Sequence, residues 1–225
     1  KLIRRVKAVL TISEFSKARI LHYCPDAESK IFVTPLAVDP AFKPKDPDDI
    51  DSAISELNLP SPYYLLALGS LEPRKNLKTL LGAWRHAQQK LPDNIWLVLA
   101  GGVGSSRVFA SHSFGELPPR VHMTGYVDDR LLPALYSGAI SSVYLSYYEG
   151  FGLPPLESLA CGTPVIASNI SSLQEVVGAV GLLVNPYDED EIAFNILRVV
   201  EDSNLRSHLS QSGIDRSKLF NWDKT

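Results

Sequence analysis

From Tyr63 onward the chain repeats one pattern: a short apolar run closed by Gly, Pro, Asn or Ser, then a stretch of helical periodicity, then another such run. Few folds admit this. Strands separated by helix-length segments pair in parallel, with each crossover helix laid on a face of the sheet. The strands are expected at 63–69, 95–100, 121–125, 141–146, 164–168 and 181–185. The helices between them are expected over "NLKTLLGAWRHAQQK" with Asn76 as N-cap, "DDRLLPALYSGA", "PPLESLAC", "SSLQEVV" and "DEDEIAFNILRVVED". This predicts one α/β domain over residues 61–225, a doubly wound, Rossmann-like parallel sheet.

The first forty residues read as strand "VKAVLTI", helix "SEFSKARILHYC" capped by Ser13, and strand "KIFVTP". One such fragment cannot cover its own faces. Residues 1–36 are therefore expected to be the tail of a preceding α/β domain, and the Pro- and Asp-rich stretch 37–60 a linker. The chain opens on Lys1 with no initiator Met and no signal-peptide core, so it reads as part of something longer.

Composition narrows the function classes. Of 225 residues, 45% are hydrophobic and 21% charged, as in an ordinary globular protein. A net charge of −3 with no basic stripe gives no footprint for nucleic acid or for an acidic membrane surface. Cys24 and Cys161 match no metal or redox spacing, which predicts two reduced, small buried hydrophobes and a cytoplasmic chain. The uncharged stretch 131–148 is interrupted by Pro133, Gly138 and several serines and is not read as a membrane span.

In an open parallel sheet a ligand sits beyond the carboxyl ends of the strands. Two loops there carry chemistry. "GSLEPRKN" (69–76) offers Gly69 for close backbone approach, and places Arg74 and Lys75 beside a helix N-terminus, where cations are disfavoured unless an anion offsets them. That outlines a phosphate site, against the alternative of two solvated surface cations. "YYEGFGLPPLE" (147–157) sets Glu149 before a Gly150-Phe151-Gly152 turn, two prolines in the first turn of a helix, and Glu157 inside it. Carboxylates accept hydrogen bonds and repel phosphate, so this loop suits hydroxyls of a polyol that carries an anion elsewhere, against the alternative, which fits Glu157 but not the whole spacing, of a glutamate satisfying a helix N-terminus. A third strand end, "TGYVDD", could present backbone groups and Tyr126 to a flat base. "GGVGSSR" (101–107) lacks the third glycine of a dinucleotide fingerprint and reads as a plain turn. "DPDDID" (46–51) has the Asp-x-Asp spacing of some metal sites but falls in the expected linker, and no pair of histidines has ligand spacing.

Taken together, "LGSLEPRKNLKTLL", "TGYVDDRLLPALYSGA" and "EGFGLPPLESLACGTPVIASNISSLQEVVGAVGLLVNP" strongly resemble the carboxyl-terminal domain of retaining family 4 glycosyltransferases of GT-B fold. "VLTISEFSKARIL" and "KIFVTPLAVDP" resemble the last unit of that family's amino-terminal domain. The resemblance implies a nucleotide-sugar donor, GDP- or UDP-hexose, with no cofactor and no essential metal. Arg74 and Lys75 would bind the diphosphate and stabilise its departure. Glu149 and the backbone of Gly150, Phe151 and Gly152 would hold the hexose, and Glu157 the ribose. Backbone at Tyr126 and Val127 would meet the base, with Leu131 packed near it, and Gly69 and Ser70 would line the diphosphate. Many members have arginine where this chain has Ser70. The acceptor, a saccharide or glycolipid, would belong to the other domain, as would any peripheral contact with the inner face of a membrane. The first expectation is a mannosyltransferase using GDP-mannose for surface polysaccharide or glycolipid. The alternatives are a UDP-glucose-dependent sucrose- or trehalose-type synthase and a non-catalytic scaffold of the same fold.

Overall fold

A computed structural model describes residues 3, 5–102 and 116–225. The first unit is a two-stranded parallel sheet, β1 (Val9–Thr11) and β2 (Ile31–Val33), joined by helix α1 (Glu14–Tyr23). Ser13 caps α1 as expected, its Oγ accepting from the Ser16 amide at 3.0 Å. Leu10 and Phe32, on the two strands, stay 69% and 53% exposed, since two strands and one helix cannot cover both sheet faces.

The second unit is a six-stranded, wholly parallel sheet. Its strands are β3 (Tyr64–Leu68), β4 (Trp96–Ala100), β5 (Val121–Gly125), β6 (Ser141–Tyr144), β7 (Val165–Ser168) and β8 (Leu182–Val184), each inside an expected range. Their spatial order is β5-β4-β3-β6-β7-β8. That is the doubly wound order in which the chain reverses direction between the first and fourth strands, here β3 and β6.

Alternation along the strands feeds two cores. Leu65, Ala67, Leu97, Leu99 and Val143 pack on Trp84 and Leu80 of α3 (Leu77–Ala87) and on Ile192 and Ile196 of α7 (Glu189–Glu201). Tyr64, Leu66, Val98, Tyr144 and Val165 face the other way, onto Leu135 and Tyr136 of α4 (Leu132–Gly138) and Leu159 of α5 (Leu153–Ala160). Covering both faces is what turns the central strands into unbroken apolar runs. The buried Tyr64 hydroxyl donates to the Leu135 carbonyl at 2.7 Å, and the Trp84 indole donates to the Pro119 carbonyl at 3.0 Å, so neither large ring strands a polar atom.

Three local readings change. Residues 47–56, within the expected linker, form helix α2 (Pro47–Glu56), whose Ala53 is buried in the core beside α4. A further helix, α8 (Ser203–Ser217), follows α7 and lies on α5, with Gly213 against Leu159. Asn76 stands at the N-cap of α3 but in the left-handed region at φ 57°, which turns its side chain away from the helix amides. Its amide instead donates to the Pro186 carbonyl at 2.7 Å, and its Oδ1 accepts from the Thr79 hydroxyl at 2.6 Å. α6 (Leu173–Val177) matches the helix expected over "SSLQEVV". Among the described residues no helix is long and apolar enough to cross a membrane. Of "GGVGSSR", only Gly101 and Gly102 lie within the described residues.

Candidate functional site

The loops after β3 and β6 meet where the sheet reverses its order. After β3 the chain passes Gly69 and Ser70, makes a 3-10 turn over Pro73–Lys75 and enters α3. After β6 it passes Tyr147, Tyr148 and Glu149 into the glycine turn that opens α5. The Tyr147 amide donates to the Arg74 carbonyl at 2.9 Å, fastening one loop to the other by backbone alone.

Their side chains form an ionic clasp. Arg74 Nη1 lies 3.0 Å from both Glu149 oxygens, and Lys75 Nζ lies 2.6 Å from Oε1. Arg74 also donates from Nε to Glu72 at 2.7 Å, and that bond holds the Glu72 carboxyl below the ordinary carboxylate range. Lys75 and Glu149 are only 14% and 16% exposed, so their charges face each other largely out of water. Sequence reading gave the cations and Glu149 separate tasks. In the structure the anion that offsets the two cations is Glu149 itself, contributed by the other loop.

The glycine turn depends on its glycines. Gly152 sits at φ 114°, and a Cβ there would come within 2.9 Å of Leu173 Cδ2. α5 follows with Pro154 in its first turn, as expected. Phe151 is buried, its ring edge-on to Phe220 at 5.8 Å, so this residue offers the turn its backbone and the core its side chain.

Glu157 is held in a different way. It is half-buried on α5, and the Tyr136 hydroxyl donates to its Oε2 at 3.0 Å. The Tyr144 hydroxyl in turn donates to the Tyr136 hydroxyl at 3.2 Å. Burial pushes the Glu157 carboxyl above its ordinary range, with the Tyr136 hydrogen bond working against that rise. The Tyr136 phenol is itself pushed well up by complete burial. Thr163, of the "GTPV" stretch, donates its hydroxyl to the Tyr136 carbonyl at 2.6 Å and fixes the end of α4 that carries this ring.

On the β5 side of the clasp lies an open cavity of about 420 Å³, lined by the ends of three strands: Leu68, Gly69 and Ser70, then Gly101 and Gly102, then Tyr126 and Val127, with Leu132 beyond them. Tyr126 is 77% exposed, whereas Val127 is buried. Leu131, expected here, turns into the core with Ala134 and Leu135, and its place in the wall is taken by Leu132. Adjacent residues entering a helix point about 100° apart, so neighbouring leucines at the start of α4 divide between lining and core. Gly101, read from sequence as a plain turn, carries φ 138°, and a Cβ on it would stand 2.0 Å from the Gly69 carbonyl oxygen. The signal available was a Gly-Gly pair directly after a strand in a parallel sheet.

Three further residues reach this loop that the sequence did not assign to it: Ser172, whose hydroxyl donates to the Glu149 carbonyl at 2.9 Å, and Ser13, read only as a helix cap, and Ser16, which reach the Gly150 carbonyl. Cys161 is buried, with its thiol pushed up to about 12 by burial, and Cys24 is only half-buried; neither forms a disulfide. Among the described residues no group of three or more His, Cys, Asp or Glu side chains is placed to hold a metal ion.

Residues 49–216 match the family model described as glycosyl transferases group 1. The chain belongs to this family. It is 35% identical over 219 residues to O-antigen chain mannosyltransferase B of Escherichia coli, covering 96% of this chain and 58% of that protein. Among solved structures it resembles sucrose-phosphate synthase from Thermosynechococcus elongatus, with TM-score 0.81 and 30% identity over 98% of this chain and 56% of that one. Anabaena HepE, solved with UDP-glucose, superposes with TM-score 0.83 at 20% identity, covering 96% of this chain and 60% of that one. The chain thus spans a little over half the length of these proteins. Its six-stranded unit is the Rossmann-like half of a GT-B fold and corresponds to the carboxyl-terminal domain of a group 1 glycosyltransferase.

Proposed function

We propose that this chain is the donor-binding half of a retaining hexosyltransferase of family 4, which moves mannose from a nucleotide-sugar to a saccharide or glycolipid acceptor. The observation that carries the reading is the clasp of Arg74, Lys75 and Glu149 at the sheet's reversal point, beside a cavity walled by the ends of β3, β4 and β5. In this reading the base occupies the cavity and Glu157 takes the ribose hydroxyls. The diphosphate takes Arg74 and Lys75, and the hexose lies against Glu149 and the turn from Gly150 to Gly152. Ser70 offers the diphosphate a hydroxyl.

The chemistry follows from charge. Breaking the bond between the sugar's anomeric carbon and the diphosphate leaves negative charge on the departing oxygen. Preorganised cations aimed at that oxygen lower the barrier without rearranging at the moment of reaction. Each charge-assisted hydrogen bond contributes roughly 1.5 to 3 kcal/mol. Lys75 and Arg74 thereby take the part that a metal ion plays in other transferases, and the donor site needs none. Mannose is supported by the likeness to the O-antigen mannosyltransferase, and the nucleotide-sugar by HepE, which was solved with UDP-glucose. The 30% identity to sucrose-phosphate synthase favours a second reading, a UDP-glucose-dependent synthase. Acceptor choice, cytoplasmic placement and contact with a membrane face belong to the whole protein and are part of the proposal.

Thermal stabilisation by GDP, UDP, ADP and their sugar conjugates tests this directly. A ligand at a hundred times its dissociation constant adds about 2.7 kcal/mol to folding stability. Preference for GDP and GDP-mannose supports the first reading and preference for UDP-glucose the second. No shift with any of them removes the donor-site assignment from this chain.

A further inference from the structure

Three consecutive residues of the acidic loop, 148 to 150, are each held by a group from outside it. The Tyr148 ring meets Phe15 of α1 edge-on, with centroids 5.2 Å apart. The Glu149 carbonyl accepts from Ser172 at 2.9 Å. The Gly150 carbonyl accepts from Ser13 Oγ at 2.7 Å, and Ser16 Oγ stands 3.2 Å from the same oxygen. Two hydroxyls thus converge on one carbonyl that has two lone pairs to offer.

The first turn of α1 is itself anchored to the second unit. Glu175, in the first turn of α6, accepts the Glu14 amide at 2.8 Å and the Phe15 amide at 2.5 Å. A carboxylate is the favoured partner for free amides at a helix N-terminus. This fixes where the hydroxyls of α1 stand relative to the glycine turn. The short α6 and its N-cap supply both anchors, Ser172 at the cap to the loop and Glu175 to the helix.

We infer that Ser13 and Ser16 are positioning residues for the donor sugar. By holding the Gly150 carbonyl from the α1 side, while Ser172 holds the preceding carbonyl from the α6 side, they fix the peptide planes that aim the Glu149 carboxylate and the amides of the glycine turn. The inference rests on the proposed donor site, in which that turn holds the hexose while Arg74 and Lys75 hold the diphosphate. Loosening the turn therefore lowers affinity for a nucleotide-sugar and spares affinity for the matching nucleoside diphosphate. A merely structural role would lower both together.

The test is calorimetric titration of the chain and its variants with GDP against GDP-mannose and UDP against UDP-glucose, using the pair that the unsubstituted chain binds. The expected result for the double variant Ser13→Ala, Ser16→Ala is a roughly tenfold loss of affinity for the sugar conjugate, with the nucleoside diphosphate unchanged. Ser13 also caps α1, so the double variant could lose stability for that reason. Ser16→Ala alone keeps the cap and substitutes the best helix former, and is expected to lose roughly threefold in the same ratio. An unchanged ratio in both variants, or equal losses for both ligands, overturns the inference while leaving the donor site intact. Failure of the unsubstituted chain to bind any of the four ligands overturns the donor site and the inference with it.

Discussion

Glu149 and Glu157 stand eight positions apart, one before the glycine turn and one after it, and their surroundings make them different devices. Glu149 lies on a loop against a guanidinium and an ammonium, where its negative charge is matched. Glu157 lies on a helix, half-buried against a chain of two phenols, where hydrogen bonding rather than opposite charge offsets the cost of ionisation. Spacing delivered both carboxylates to one end of the sheet. Their neighbours, drawn from helices and loops elsewhere in the sequence, decided that one is matched by opposite charge and the other by a phenol's hydrogen bond.

The strongest way to break this contrast is Gly101→Ala. The new methyl would collide with the Gly69 carbonyl at a backbone angle that suits glycine, displacing the loop that delivers Arg74 and Lys75 while leaving Tyr136 and Glu157 untouched. A loss of about 3 kcal/mol is expected in urea unfolding, and an unchanged midpoint would mean that the two strand ends yield easily. Next comes Lys75→Ala, expected to weaken nucleoside diphosphate binding by about 2 kcal/mol, or roughly thirtyfold, and to lower the melting temperature as well, because Glu149 is then left with Arg74 alone in a site largely out of water. Equal affinities by calorimetry would take the diphosphate away from the clasp.

Tyr136→Phe probes the other carboxylate. Removing the hydroxyl strips Glu157 of its donor and is expected to cost about 1 to 2 kcal/mol of stability near neutral pH. The pH dependence gives the sign. Because burial raises the Glu157 carboxyl above its unfolded value, the stability tied to this group is fully present below the ordinary carboxylate range and is lost as pH rises through the raised folded value. Tyr136→Phe should push that value higher and widen the window of loss. Melting curves across mildly acid pH that coincide for the two proteins would show that the phenol does not tune the acid. The smallest expected effect is none at all: EDTA should leave nucleotide affinity unchanged, and a clear loss would show that the two cations do not suffice.

The parallel sheet was legible because both of its faces are covered, which writes each central strand as a closed apolar run. The strand-end loops were legible because glycine and unpaired charge stand out there. What stayed hidden has physical causes. α8 carries serines along most of its length and buries little beyond Leu209, Gly213 and Ser217, so no apolar stripe marks it. α2 hides behind an aspartate- and proline-rich opening that also suits a linker. The clasp joins residue 74 to residue 149, and the tyrosine chain joins 136 to 157, pairings that only the fold brings about. Leu131 and Leu132 were separable only once the start of α4 was placed.

The near-contact of Gly69 and Gly101 has a consequence for redesign. Along that wall the cavity is bounded by main chain with no side chain to exchange, so its shape there is inherited with the sheet and changes only at the cost of displacing a strand end. Its shape can be tuned only where side chains line it, at Leu68, Ser70, Tyr126, Val127 and Leu132.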